Sequence, residues 1–229
     1  MFTEITCQPA YALAYLRLAR GEQVFCEPGS MVAMSMGIEL NARVDGNPIT
    51  AALRNAIGAE SFFLTRLRAQ VDGAWVAVAP KFPGDVAQIP ISVNDPLNLQ
   101  SGSYLAHDAG VELGVKIASP GEFLLREGVT LLNVHGSGNV VICSYGGMQS
   151  IDLNIGDQVV VDTAHLVAWS DSLDLKVGPL TGIVSSQFTA EGLVGRFTAT
   201  KQPGRVVIQT RAEQALRGWL FPEREMNQR

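Results

Sequence analysis

Charge is scarce in this chain. Charged residues make up 17% of its 229 residues, against about 25% in an average soluble protein. With 47% hydrophobic residues and a mean hydropathy of +0.16, the chain cannot belong to the disordered class, which is held open by charge and lacks apolar content. So little charge also implies that a partner covers part of the surface, because a lone monomer coats itself with more. Basic residues are the scarcer sign. Seventeen Lys and Arg against 22 Asp and Glu leave a net charge of −5 and a pI near 5.2. Nucleic acid is therefore an unlikely partner, since its phosphates demand a basic surface. Arg66 and Arg68, and Arg196, Lys201, Arg205 and Arg211, are small groups that solvated strand faces explain.

Cysteine and histidine are also rare. Cys7, Cys26 and Cys143 are odd in number, and no two stand at C-x-x-C spacing. They read as buried or inert thiols in a reducing compartment. The three histidines, His107, His135 and His165, are 28 and 30 residues apart. A cupin-type centre needs two His close together on one strand plus a carboxylate and a third His. No H-x-H occurs, so no metal or other cofactor is expected; His107 and His165 read as turn residues beside acids. There is no G-x-S-x-G elbow. Ser144-Tyr145-Gly146-Gly147 follows a strand and opens no helix, so it reads as a turn rather than a phosphate loop. No apolar run reaches the ~18 residues of a membrane-spanning helix. The first residues, Met1 to Glu22, lack a basic segment followed by a continuous apolar one, which argues against a signal peptide. Cytoplasmic location is the expectation.

What is abundant is β texture. Short runs of Val, Ile, Leu and Phe are separated by Gly and Pro signals, with 23 Gly and 11 Pro in all. Ala74–Ala79, Asn139–Ser144, Gln158–Asp162 and Arg205–Thr210 are the clearest strands. Val71–Ala74 and His135–Asn139 read as hairpin connections, because Gly supplies the positive φ of tight turns. Two short helices are expected. Ile49 to Ile57 places Ile49, Leu53 and Ile57 on one face. A second starts near Thr210, where Thr210 and Glu213 form a capping-box pattern, and Pro222 stops it. Residues 223–229 read as a frayed tail.

A repeat underlies the strands. Glu60, Glu127 and Glu191 each open a Glu-small-apolar motif, at intervals of 67 and 64 residues. Upstream of each lies an apolar connection: Ile49, Leu53 and Ile57; Ile117, Phe123 and Leu125; Leu180, Ile183, Val184 and Phe188. Downstream lies a hairpin pattern ending in a strong strand. A second set of acids, Glu27, Asp108 and Asp162, ends apolar runs that are followed by a turn and another strand. Both sets could act as general acids, but recurrence at matched places favours a structural role, a carboxylate accepting backbone N–H bonds of the adjacent turn. The unit is hairpin, apolar connection, Glu-small, hairpin, written three times over residues 10–85, 86–150 and 151–211. One unit alone could not bury its face, so residues 1–222 form one all-β domain with three β repeats, pseudo-threefold symmetry and a C-terminal helix at about 211–221.

Several segments resemble a known family. They are Val24 to Val32, Gly58 to Leu64, Ala79-Pro80 with Pro83-Gly84-Asp85, Val161-Asp162 with His165 to Trp169, Ala190 to Val194, and Val207 to Arg211. In this order, from about Phe2 to Trp219, they are similar to the altered-inheritance-of-mitochondria, mitochondrial-biogenesis family. The first connection, Asn47 to Ala59, departs from it in having fewer glycines. The resemblance implies a double-stranded β-helix, barrel-like fold grouped with the trp RNA-binding attenuation protein, and a scaffold-like role tied in fungal members to inner mitochondrial membrane organisation. It carries no catalytic residues to transfer.

The sequence thus predicts a non-catalytic oligomeric scaffold or adaptor. A small-molecule or RNA binding module is the second class, and a cupin-like enzyme a distant third. The ligand is not legible. The apolar connections carry few charges, although a surface connection is usually polar. They must be covered as lids on the barrel ends, as a homo-oligomer interface burying more than about 1,000 Å², or against a protein or a peripheral membrane surface. A closed homo-oligomer is the expectation.

Overall fold

The computed structural model describes residues 1–41, 64–116, 131–179 and 193–221. Among these residues a leading strand, β1 (Phe2–Thr6), is followed by eighteen others in three runs of six. The first run is β2 (Leu13–Leu18), β3 (Gln23–Cys26), β4 (Met31–Met34), β5 (Ile38–Asn41), β6 (Thr65–Ala69) and β7 (Ala74–Val78). The second is β8 (Val86–Ile91), β9 (Leu97–Gln100), β10 (Tyr104–Asp108), β11 (Val111–Lys116), β12 (Leu131–Gly136) and β13 (Gly138–Cys143). The third is β14 (Met148–Leu153), β15 (Gln158–Asp162), β16 (Leu166–Ser170), β17 (Asp174–Pro179), β18 (Leu193–Thr198) and β19 (Gly204–Gln209). One helix, α1 (Glu213–Leu220), closes the described chain. The protein is all-β, as its composition implies.

Four sheets hold these strands. Their orders are β1-β2-β7-β4, β5-β6-β3-β10-β13-β8, β11-β12-β9-β16-β19-β14 and β15-β18-β17. Within each run the first strand pairs with the sixth, the third with the sixth, the second with the fifth and the fourth with the fifth, all antiparallel. Successive runs are joined where the second strand of one pairs with the third strand of the next: β3 with β10, and β9 with β16.

Three apolar cores lie between successive sheets. The first is filled by Leu16, Val24, Leu67, Val76 and Val78 from the first run, and by Leu105, Ala106 and Val141 from the second. The second contains Leu99, Leu132, Val140 and Ile142 with Val167 and Val207. The third contains Val161, Leu166, Trp169, Phe197 and Val206. On β13, Val141 faces the first core and Val140 and Ile142 the second. This is why the run NVVIC is apolar without a break: a strand buried on both faces has no reason to alternate.

The connections between runs are pinned to each other. Ala12 N–H donates to the Gly84 carbonyl at 3.0 Å, Asp85 N–H to that of Gly146 at 3.0 Å, and Gly146 N–H to that of Pro83 at 2.9 Å. Gly146, in the Ser144–Gly147 turn, has φ +77°, and a Cβ on Gly84 would lie 1.7 Å from the Ser144 carbonyl oxygen. Close backbone approach demands glycine at position 84, and the left-handed backbone demands it at 146.

The capping box at Thr210 does not form. Ala212 occupies the N-cap position without a side-chain bond. The Thr210 hydroxyl instead accepts from Gly147 N–H at 2.9 Å, holding the end of β19 to the start of β14. The helix ends at Leu220, ahead of Pro222 as expected. The expected helix at Ile49–Ile57, the three glutamates Glu60, Glu127 and Glu191, and all the apolar connection residues, Ile49 to Phe188, lie outside the described residues.

Candidate functional site

The second set of acids divides. Asp162 ends β15 and caps the following short turn, accepting Ala164 N–H at 2.8 Å. Asp108 accepts Asn139 N–H at 2.8 Å across the hairpin between β12 and β13. Both therefore close turns through backbone N–H groups. Glu27, just after β3, instead pairs with Lys81 Nζ at 3.2 Å. Burial pushes its carboxyl above the usual carboxylate range, and Lys81 only partly opposes this. Asp108 does not share the place of the other two. Glu27 follows the second strand of its run and Asp162 ends the second strand of its own, whereas Asp108 ends β10, the third strand of its run. The matching residue in the middle run is Gln100, buried at the end of β9, with its Nε2 donating to the Thr163 carbonyl at 3.2 Å.

The histidines are separately engaged. His107 is buried beneath Phe25, with stacked rings 5.1 Å apart, and its Nδ1 lies 2.7 Å from the Tyr104 hydroxyl. That hydroxyl donates to the Phe25 carbonyl at 2.9 Å. Its one hydrogen is thus engaged, so Nδ1–H of a neutral imidazole is the donor to it. Burial lowers the His107 pKa to about 4, against a smaller opposing pull from Asp108. His165 Nδ1 meets the Gln209 carbonyl at 2.8 Å, and His135 Nε2 lies 3.4 Å from Glu112. His165 sits in a turn beside Asp162 as expected; His107 is a core residue of β10. Among the described residues no group of three His, Cys, Asp or Glu is placed to hold a metal ion. Cys26 and Cys143 are buried, and burial pushes both thiols up to about 12, while Cys7 is exposed rather than buried.

Among the eight edge strands of the four sheets, two, β4 and β15, lack the second neighbour that their counterparts in the other runs have. In the first sheet, β4 pairs with β7 alone: Met31 opposite Val78, Ala33 opposite Ala77, Met34 opposite Val76, with Val32 bulged between them. All four residues of β4 are exposed. The turn that launches it is tightly built, with Gly29 at φ +84° and the Ser30 hydroxyl donating to the Glu27 carbonyl at 2.7 Å, so its position is set by the fold. In the fourth sheet, β15 pairs with β18 alone. Val161 faces the third core and Val160 faces out, 46% exposed. Each edge offers a row of backbone N–H and C=O groups flanked by apolar side chains, the arrangement that takes up an added strand. The expected interface residues on the connections stand out in the sequence by their missing charge. The edge strands escaped because Met31–Met34 has the same apolar character as the buried Leu166–Trp169. A run apolar on both faces signals a strand to be covered on both, and that was the available clue.

Asp95, Asp152, Asn154, Ser170 and Arg205 line a shallow cleft of about 400 Å³, and Phe2, Arg17, Glu22 and Asp72 an open one of about 610 Å³. No described helix is long and apolar enough to cross a membrane.

The fold and its edges define an all-β protein of stacked antiparallel sheets, with strand edges open at both ends of the stack. The family model for mitochondrial biogenesis AIM24 matches residues 3–211, and the chain belongs to that family. An uncharacterized protein of Streptococcus pyogenes serotype M6 is 27% identical over 208 residues, covering 87% of this chain and 82% of that one. An X-ray crystal structure of a Streptococcus pyogenes protein is similar with a TM-score of 0.76 and 26% identity, over 96% of this chain and 97% of the other.

Proposed function

We infer that this chain is a non-catalytic structural protein that acts by self-association, a homo-oligomeric scaffold. The observation that carries this is the exposure of β4 on both faces, in a protein short of charge. An apolar strand edge left bare is an aggregation hazard that natural proteins cover or charge. Here it bears no charge at all: its sequence is Met-Val-Ala-Met. The recurring pairing scheme supports a further element of the reading, three β repeats in the manner of the double-stranded β-helix of the trp RNA-binding attenuation protein. A scaffold of this kind works through its surfaces and needs no reacting group. Light scattering on purified protein tests the reading: a stable oligomer at micromolar concentration is expected, and a monomer refutes it. A thermal-shift screen against nucleotides, amino acids and lipids separates it from a ligand-binding module, which one of those compounds would stabilise.

A further inference from the structure

Each run opens with the same turn, closed on an acid between its first and second strands. Glu22 N–H donates to the Ala19 carbonyl at 3.0 Å, Asp95 N–H to that of Ser92 at 3.0 Å, and Asp157 N–H to that of Asn154 at 2.9 Å. The end of the next run's third strand also recurs. There Asp108 accepts Asn139 N–H at 2.8 Å, and Ser170 accepts Arg205 N–H at 3.1 Å. The seams between runs put the two series in register. Ala106 lies opposite Cys26 where β10 meets β3, and Ala168 opposite Leu99 where β16 meets β9. Counted from those pairs, Glu22 and Asp108 of the first seam occupy the places of Asp95 and Ser170 in the second.

The first seam holds an ammonium group. The Met1 amino group lies 3.0 Å from Glu22 Oε1 and 3.5 Å from Asp108 Oδ1, and the Met1 side chain is 1% exposed. Such charge-assisted bonds are what a desolvated cation requires. The second seam keeps the acid of the turn, Asp95, and opens into the cleft of about 400 Å³, where Asp95 and Ser170 are joined by Asp152, Asn154, Gln202 and Arg205. No lysine and no amino terminus lines it. Arg205 Nε lies 4.0 Å from Asp152 Oδ1, while Asp95 is in no ion pair among the described residues. Two carboxylates and one guanidinium leave the cleft one negative charge, the complement of a single cation. We propose that this cleft binds the primary ammonium group of a small aliphatic amine, through the Asp95 carboxylate and the side-chain carbonyls of Asn154 and Gln202. The site lies between two runs of one chain, so it is independent of self-association. An ammonium suits it better than a metal ion, because its N–H groups can use amide acceptors and because the Arg205 guanidinium repels a divalent charge.

Equilibrium dialysis of the full chain against radiolabelled diaminobutane tests the site. Saturable binding of one diamine per chain is expected. Asp95→Asn keeps the size of the side chain and removes its charge, and should weaken binding about tenfold. Ser170→Asp supplies the carboxylate that Asp108 offers in the first seam, and should tighten binding about fivefold. Tetramethylammonium at matched ionic strength carries the charge without an N–H group, and should leave the diamine in place. Absence of saturable binding, or equal binding by the unmodified chain and Asp95→Asn, would overturn the proposal. Displacement by tetramethylammonium would overturn it in favour of unspecific charge attraction, and displacement by an equal concentration of calcium in favour of a metal site. Asp95 is exposed at a turn, so its variant keeps the fold and decides the matter even where circular dichroism shows that Ser170→Asp does not fold.

Discussion

His107 shows how a residue's environment decides its role. A histidine on an apolar strand invites a metal or acid–base reading, but this one is held neutral by burial, with its pKa lowered to about 4. The unfolded chain binds a proton at about 6.5 and the folded chain resists it, so the sign is fixed. Stability from this site is complete above pH 6.5 and is lost progressively as pH falls toward about 4, by roughly 3 kcal/mol in total. We predict that His107→Phe, which keeps the Phe25 stack and the Tyr104 bond to the Phe25 carbonyl, flattens this limb. Urea unfolding of both proteins at pH 7 and pH 4.5 checks it, and equal acid losses would be a contrary result. The thiols give a second prediction at this scale. Only Cys7 is exposed, and the thiolate is the reactive form. One thiol per chain should react with a disulfide reagent in the native state and three after denaturation; three fast native thiols would contradict the placement of Cys26 and Cys143.

Elements were legible where local chemistry alone decides them. Gln158–Asp162 was read to the residue, and the strands at Ala74, Asn139 and Arg205 to within one, because unbroken apolar runs bounded by turn residues have few other uses. The helix after Thr210 was found but not its cap, since a threonine hydroxyl can serve a neighbouring turn as well as a helix end. Asp108 was grouped wrongly for a related reason. Leu105-Ala106-His107-Asp108 and Val24-Phe25-Cys26-Glu27 look alike as apolar runs ending in an acid, and only the strand pairing separates a third strand from a second. The edges were illegible for the same cause, because composition does not state which strands find partners. At this scale the tight junction between runs makes a prediction. Gly84→Ala would set a methyl 1.7 Å from the Ser144 carbonyl oxygen, so the backbone must move, at a cost of about 3 kcal/mol. Gly156→Ala meets no such neighbour and bears only the penalty of its positive φ, about 1 kcal/mol. Thermal melts of the two should rank them in that order.

At the scale of the whole molecule, three cores lie between four sheets among the described residues, and of these sheets the two inner ones have both faces in a core. The outer two carry the bare strands β4 and β15. Burying a valine side chain is favourable by about 1.5–3 kcal/mol, and a strand added at a bare edge brings its backbone bonds. The low charge of the sequence, the bare Met31–Met34 strand and the exposed Val32 all agree with a molecule that completes its sheets by adding copies of itself. The direct test is the mass in solution of the unmodified protein, by light scattering across micromolar concentrations. The account predicts an integer multiple of 24.5 kDa that is steady on dilution. A single species at 24.5 kDa would contradict it.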